Sequence, residues 1–315
     1  MIAIGIDLGG TNIKTALVDK EKGILKNLSI PTEADKGKDH VFDRIKISVE
    51  KLLMDTNAEP IGIGMGTPGM VSLDRSTVNN PPNLTGWGVV NVAEEVKKRT
   101  GYNCIIDNDA NLAALGCSRF GVGKDFDSLI MLTLGTGVGG GIIFNRKLFR
   151  GTTGSAAELG HVIINYHGPL SNSNTRGGIE AYLGQRFLSR YASDVIRQQP
   201  DNPLYNKFKN KFDELEPVDI YQAAEDGNKL AAEILEKTGE KLGYAIVNYI
   251  HMMDIRKIVV SGGVAKAGHW LIEPAKKMAF KYLMPPFHDG FDIIYEPLGN
   301  DAALYGASSL ALEHL

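Results

Sequence analysis

The chain has 315 residues, 43% of them hydrophobic and 23% charged, enough to bury two ordinary domain cores. The formal net charge is -3 and there is no long basic run, which argues against nucleic acid or a membrane surface as a partner. Cys104 and Cys117 are the two cysteines, too few for a disulfide framework or a metal cluster, and they read as buried reduced thiols. Met1 leads straight into Ile2-Ala3-Ile4-Gly5-Ile6 with no basic n-region or cleavage site, and no apolar run reaches the length of a membrane span. The expectation is a cytoplasmic, enzyme-sized protein.

Residues 2–6 read as a buried strand, followed by a tight turn at Asp7-Leu8-Gly9-Gly10-Thr11. Strands at 14–19 and 24–30 complete an antiparallel meander. A helix over 38–55 follows, with Val41, Ile45, Val49, Leu52 and Leu53 on one face. Residues 61–66 form an apolar strand ending in the turn signature Thr67-Pro68-Gly69, and 72–90 read as a loop centred on Asn79-Asn80-Pro81-Pro82-Asn83. Asn91 and Glu94 mark a capping box for a helix stopped by Gly101. Cys104-Ile105-Ile106 is a strand delivering Asp107, Asn108 and Asp109, and a helix over 110–120 comes next. After a Gly-rich join at 121–125 the pattern restarts, with strands at 128–134, 138–144 and 147–150. An insertion through about residue 215 holds the His161 region, a polar loop at 167–177 and a helix over 178–197. Two helices broken near Gly227 fill 218–254, a strand at 257–260 ends in Ser261-Gly262-Gly263, and helix 266–283, strand 291–295 and helix 300–312 close the chain.

The result is one topology used twice, an α/β fold of two duplicated domains around a central cleft. The expected division is 1–120, completed by the C-terminal helix 300–315, and 121–299 with the insertion 151–215. Each half opens with a strand, a glycine turn and a strand. The second turn, Leu134-Gly135-Thr136-Gly137-Val138-Gly139-Gly140-Gly141, has five glycines in seven positions, so its N–H groups can approach a phosphate closely. A glycine-rich hairpin with no ligand is the alternative. The spacing is neither that of a P-loop nor that of the dinucleotide fingerprint. In the first turn, Asp7 suits Mg²⁺, directly or through water, while Gly9, Gly10 and Thr11 suit phosphate oxygens. Gly262 and Gly263 form a third turn, placed to accommodate a nucleoside. Asp109 is the candidate base, the alternative being that Asp107 and Asp109 are both capping acids. Glu158 and His161 share a face if their segment is helical, and spacing around His161 gives little support for a metal.

These motifs resemble one family, the ROK group of bacterial sugar kinases within the actin–hexokinase–Hsp70 ATPase superfold. The carriers are Ile6-Asp7-Leu8-Gly9-Gly10-Thr11-Asn12-Ile13-Lys14, Gly66-Thr67-Pro68-Gly69, Pro82-Asn83-Leu84, Asn108-Asp109-Ala110-Asn111, the Leu134–Gly141 turn and Glu158-Leu159-Gly160-His161. The resemblance covers essentially the whole chain. It implies duplicated ribonuclease-H-like domains, often in a homodimer, that phosphorylate a hexose from MgATP. It implies Asp109 as general base and Asn83, Asn108, Glu158, His161 and Glu180 as holders of sugar hydroxyls, with Gly66 and Gly137 near the sugar C2 group. On the nucleotide side stand Asp7, Gly9, Gly10, Thr11, Asn12, Lys14, Gly135, Thr136, Gly137, Gly139, Gly262 and Gly263.

One departure concerns zinc. The family usually holds it with the histidine of its Glu-x-Gly-His motif and three cysteines, whose positions fall here on Ser171, Ser173 and Gly178, ahead of Glu180. Serine hydroxyls and glycine do not replace thiolates as Zn²⁺ ligands. The expectation is therefore no zinc site, with Ser/Asn turn hydrogen bonds holding 168–177 and another partner orienting His161. The leading reaction is in-line transfer of the γ-phosphoryl group to the 6-hydroxyl of glucose, with closure at a hinge near Gly121–Gly123 excluding water. Alternatives are an N-acetylated hexosamine or fructose as acceptor, a sugar-responsive regulator, disfavoured because no helix-turn-helix fits ahead of Asp7, and a chaperone-type ATPase.

Overall fold

The computed structural model describes residues 1–84 and 86–315. In chain order the elements are β1 (Ile2–Leu8), β2 (Asn12–Asp19), β3 (Gly23–Pro31), α1 (Lys38–Leu53), β4 (Ile63–Thr67), β5 (Met70–Val71), β6 (Thr77–Asn79), β7 (Val89–Asn91), α2 (Val92–Thr100), β8 (Cys104–Asn108) and α3 (Asp109–Phe120). The second run is β9 (Leu129–Leu134), β10 (Val138–Phe144), β11 (Lys147–Leu148), α4 (Glu180–Leu183), α5 (Gln185–Arg197), α6 (Pro203–Phe208), α7 (Pro217–Glu225), α8 (Lys229–Met253), β12 (Lys257–Ser261), α9 (His269–Tyr282), β13 (Asp292–Tyr295) and α10 (Asp301–His314). None of the described helices is long and apolar enough to cross a membrane.

The two main sheets have corresponding orders, β3-β2-β1-β4-β8 and β11-β10-β9-β12-β13. In each, three successive strands come first and two later strands are added beside the earliest. That is the duplication expected from the sequence. The chain divides into two compact units, 1–128 with 141–157 and 297–315, and 129–140 with 158–296. Residues 141–157 thus go with the first unit, and β10 passes from one unit into the other at Gly140/Gly141.

In the first unit the period-2 pattern of β1 decides what covers each face. Ile4, Ile6 and Leu8 enter a core with Val41, Phe42, Ile45 and Val49 of α1 and with Ile63, Met65 and Ile106 of the neighbouring strands. The opposite face carries Gly5 and Gly64, where a Cβ would run into the Leu304 and Ala307 carbonyls of α10. Bare glycines thus let the last helix lie directly on the sheet. In the second unit β12 is parallel to both β9 and β13, and α8 and α9 meet where Gly239 and Gly243 face the backbone of Leu271 and Ala275.

Local signals explain most boundaries. Asn91 Oδ1 accepts from Glu94 N–H at 3.0 Å to start α2, and Gly101, at φ 81, ends it. Three corrections are needed. The expected loop 72–90 contains β6 and the start of β7, which with β5 make a small antiparallel sheet. The single helix over 178–197 is two, because Gly184 is extended (φ -62, ψ 139) between α4 and α5. The insertion also contains α6, beyond the elements expected there.

Candidate active site

The first unit brings its predicted residues to one end of one sheet. Asp7 on β1 lies opposite Lys14 on β2 and beside Gly66 on β4, and Gly66 lies beside Asp107 on β8. Strand register alone therefore lines up Lys14, Asp7, Gly66 and Asp107. Asp7 Oδ2 is 3.6 Å from Lys14 Nζ. Burial outweighs the lysine's charge and raises the Asp7 carboxyl above its ordinary range. The turn that follows is stiffened by Gly9 N–H donating to Asn12 O (3.0 Å) and Thr32 Oγ donating to Gly9 O (2.7 Å), while Thr11 and Asn12 are exposed. A Cβ on Gly10 would come within 2.8 Å of Asn83 Cβ. The Asn83 segment therefore rests on the turn itself, with Asn83 at φ 64.

At the β8–α3 junction the three polar residues separate into three roles. Asn108 caps α3, its Oδ1 accepting from Ala110 N–H (2.9 Å) and Asn111 N–H (3.3 Å), and its amide reaches Gly69 O at 3.3 Å. Asp107 is fully buried, and its Oδ1 accepts from Asn108 N–H (2.8 Å) and the Asn111 amide (3.1 Å). Asp109 is the first residue of α3 and is exposed, its Oδ1 accepting from Ala110 N–H at 2.9 Å. The missing side chain of Gly66 leaves β4 close to it, since a Cβ there would be 3.6 Å from Asp109 Cα.

The second unit presents a different glycine turn. Gly135 N–H donates to Gly137 O at 3.0 Å, and Gln185 N–H donates to Gly135 O at 2.9 Å. Glu180, the first residue of α4, fills the space beside Gly137, where a Cβ would collide with Oε2. The same Oε2 accepts from Val138 N–H at 3.2 Å. Thr136 is exposed, and Gly139 is half-buried within β10. At the end of β12, beside β9, Gly262 has φ 97 and packs against the Leu134 backbone. A Cβ at Gly263 would meet nothing within 4 Å.

His161 ends a short 3-10 turn, Leu159–His161, rather than standing on an α-helix. Its Nε2 is 3.6 Å from Glu158 Oε2, and its Nδ1 is hydrogen-bonded to Ser173 Oγ at 3.0 Å. Ser173 Oγ is bonded to Ser171 Oγ (2.8 Å), whose own oxygen accepts from Thr175 N–H (3.3 Å). Arg176 closes the loop on Gly168 O at 3.1 Å. A bridge between Ile163 and Gly178, and Ile179 N–H donating to Val162 O at 3.0 Å, join this loop to the helix that carries Glu180. Among the described residues, no three His, Cys, Asp or Glu side chains are grouped to hold a metal. The register of the missing cysteines puts Ser171 and Ser173 in this loop, and the structure makes Ser173 the partner of His161. The two arginines beside Asp107, Arg75 and Arg150, have no sequence signal.

Residues 3–314 match the ROK family. The glucokinase of Thermotoga maritima is 32% identical over 312 residues, covering 99% of this chain and 98% of its own. A ROK family glucokinase from Streptomyces griseus, solved in complex with glucose and AMPPNP, superposes with a TM-score of 0.85 at 32% identity, covering 99% of this chain and 100% of that one. A xylose repressor of Caldicellulosiruptor bescii is 30% identical over 279 residues, 87% of this chain and 69% of its own. The duplicated sheets are those of the actin-like ATPase fold that such structures share. By family match, relatives and architecture, the chain belongs to the ROK family.

Proposed function

We propose that this protein is an ATP-dependent hexose kinase that moves the γ-phosphoryl group of MgATP to the 6-hydroxyl of glucose. The observation that carries the reading is the split at the β8–α3 junction: Asp107 is buried and bonded, Asn108 is the cap, and Asp109 alone of the three is exposed. Asp109 accepts the proton of the attacking hydroxyl, a contribution of about 10²–10⁴-fold in such reactions. Asn83, Asn108, Glu158, His161 and Glu180 orient the sugar. Among the described residues the carboxylate of Glu180 accepts from Val138 N–H through Oε2, which leaves Oε1 for a hydroxyl. For the nucleotide, the Asp7–Lys14 turn and the N–H groups of Thr136 and Gly137 are the candidates for phosphate, and Gly262–Gly263 for the nucleoside.

Asp7 fits a Mg²⁺ role. It is a desolvated carboxylate paired with Lys14 at 3.6 Å, and a single carboxylate with water and substrate phosphates is a common Mg²⁺ donor set. When bound, the ion neutralises phosphate charge. The His161 loop, hydrogen-bonded through Ser171 and Ser173, is proposed to need no zinc. Less than stoichiometric zinc in the dialysed protein supports this, and one zinc per chain would sink it.

The test is coupled ADP release across hexoses, N-acetylhexosamines and fructose. Glucose-dependent release supports the reading, and a higher kcat/KM for an N-acetylhexosamine would replace glucose. The likeness to a xylose repressor favours one other reading, a sugar-responsive regulator. Sugar binding by calorimetry with no sugar-dependent ADP release would select it.

A further inference from the structure

Asp107 is fully buried, and two guanidinium groups face it. Arg150 Nε lies 2.9 Å and Arg75 Nε 3.2 Å from Asp107 Oδ2. The Arg150 Nε–H is not aligned for a hydrogen bond with that oxygen, so charge holds the pair. The rest of the Arg150 guanidinium is committed elsewhere. Its two terminal nitrogens donate to three successive carbonyls of the β5–β6 turn: Leu73 (2.9 Å), Val71 (3.2 Å) and Ser72 (2.9 Å). Arg75 belongs to the same turn. Its carbonyl accepts from Ile106 N–H at 2.9 Å, and its guanidinium donates to His314 Nε2 of α10 at 2.6 Å.

Arg150 thus joins two pieces of the first unit. One is the strand end whose Asp107 Oδ1 fixes the Asn108 N–H and the Asn111 side chain, and so the first turn of α3. The other is the β5–β6 turn. From β6 the chain runs into the segment of Asn83, which is tied back by Asn80 N–H donating to Gly88 O at 2.8 Å. A planar guanidinium can set its charge against a carboxylate while its terminal nitrogens bond three carbonyls in a fixed fork; an ammonium group has no such fork.

We propose that Arg150 is a positioning residue for phosphoryl transfer, holding Asp109 in register with the Asn83 segment through Asp107 and the Val71–Leu73 carbonyls. The inference rests on the kinase reading above. A misplacement of about 1 Å at a reacting group costs about 10²-fold in rate, so a residue that touches no substrate has this much leverage.

The test is Arg150→Lys, which keeps a cation beside Asp107 and gives up the fork. Expected are a kcat about 10²-fold lower, a raised KM for the sugar, an unchanged KM for ATP, and faster hydrogen–deuterium exchange confined to peptides covering 70–84 and 106–112. Wild-type kcat with wild-type exchange in those peptides overturns the proposal. A loss of rate with unchanged exchange also overturns it, because the residue would then act without positioning either segment. If wild-type protein releases no ADP with any sugar, the kinase reading fails and with it the role in phosphoryl transfer, while exchange still shows whether Arg150 holds the two segments together. Should Arg150→Lys fail to fold, Asp107→Asn retains the Oδ1 bonds, turns an amide toward the two guanidiniums and gives the same readouts.

Discussion

The two glycine turns share a topology and differ in what fills them. In the first, the glycines border a half-buried carboxylate and a lysine, and Gly10 leaves room for the Cβ of Asn83. In the second, Gly137 leaves room for the carboxylate of Glu180, which takes the Val138 N–H for itself. The two hairpins thus receive different side chains in the space their glycines leave. Around the first turn lie the carboxylates proposed for chemistry and metal, Asp109 and Asp7, together with Asn83, proposed for the sugar. Around the second lie side chains proposed for recognition, with Glu180 next to the loop of His161. Repetition of a backbone motif therefore does not repeat its chemistry, because the side chain that enters the glycine's vacant space comes from a different part of the chain each time.

The largest expected effect tests this division directly. Asp109→Asn should lower kcat by about 10²–10⁴-fold with sugar affinity retained by calorimetry, whereas Glu180→Gln should act mainly on sugar KM. Equal loss of affinity in both variants would break the comparison. Next comes Asp7→Asn, expected to abolish Mg²⁺-dependent turnover while raising the melting temperature at pH 7. Burial raises the folded-state pKa of Asp7 above the ordinary 3.8. The folded protein then holds more protons than the unfolded chain in that window, so the group's contribution to stability is lost as pH rises through the raised value. The gain from Asp7→Asn should be larger at pH 7 than at pH 3.5. A melting temperature lower than wild type at pH 7 would show that the Lys14 pair outweighs desolvation.

A smaller pair of effects separates the turns by stability. Gly10→Ala confronts Asn83 Cβ, close to the backbone, whereas Gly137→Ala confronts the far end of a flexible glutamate. Thermal melts should show Gly10→Ala the less stable of the two, by about 1–3 kcal/mol relative to wild type. Gly137→Ala should melt near wild type and show its defect in sugar KM. The reverse order would mean that Glu180 is held more rigidly than Asn83. The smallest effect expected is for Ser173→Ala, which removes the Nδ1 partner of His161. A few-fold rise in sugar KM with unchanged kcat is expected, and no change in KM would remove Ser173 from the recognition loop.

Much of the fold was readable because its signals are local. The alternation in β1, the cap at Asn91, the stop at Gly101 and the apolar stripe of α1 act within a few residues, and each falls where expected. The α6 start carries a local signal too: Asn202 caps it, accepting from Leu204 N–H at 3.0 Å, with Pro203 at the first helical position. The β5–β7 sheet was less accessible, since its strands of two and three residues are too short to show a period. At the site, Asp109 was distinguishable from Asp107 only as a candidate. Burial separates the two, and Asp107 is buried against arginines 32 and 43 positions away.

The sequence by itself determined the doubled strand–turn–strand plan, the glycines at the strand ends, and the substitution of serine and glycine for the family's thiolates. Those are matters of residue type and short-range spacing, written directly in the chain. Only the tertiary structure decided which groups meet: Asn83 against Gly10, Glu180 against Gly137, Ser173 on His161, and Arg150 between Asp107 and the Val71–Leu73 carbonyls. These are meetings of distant segments, set by strand register and by where a missing side chain leaves room, and a linear pattern carries neither.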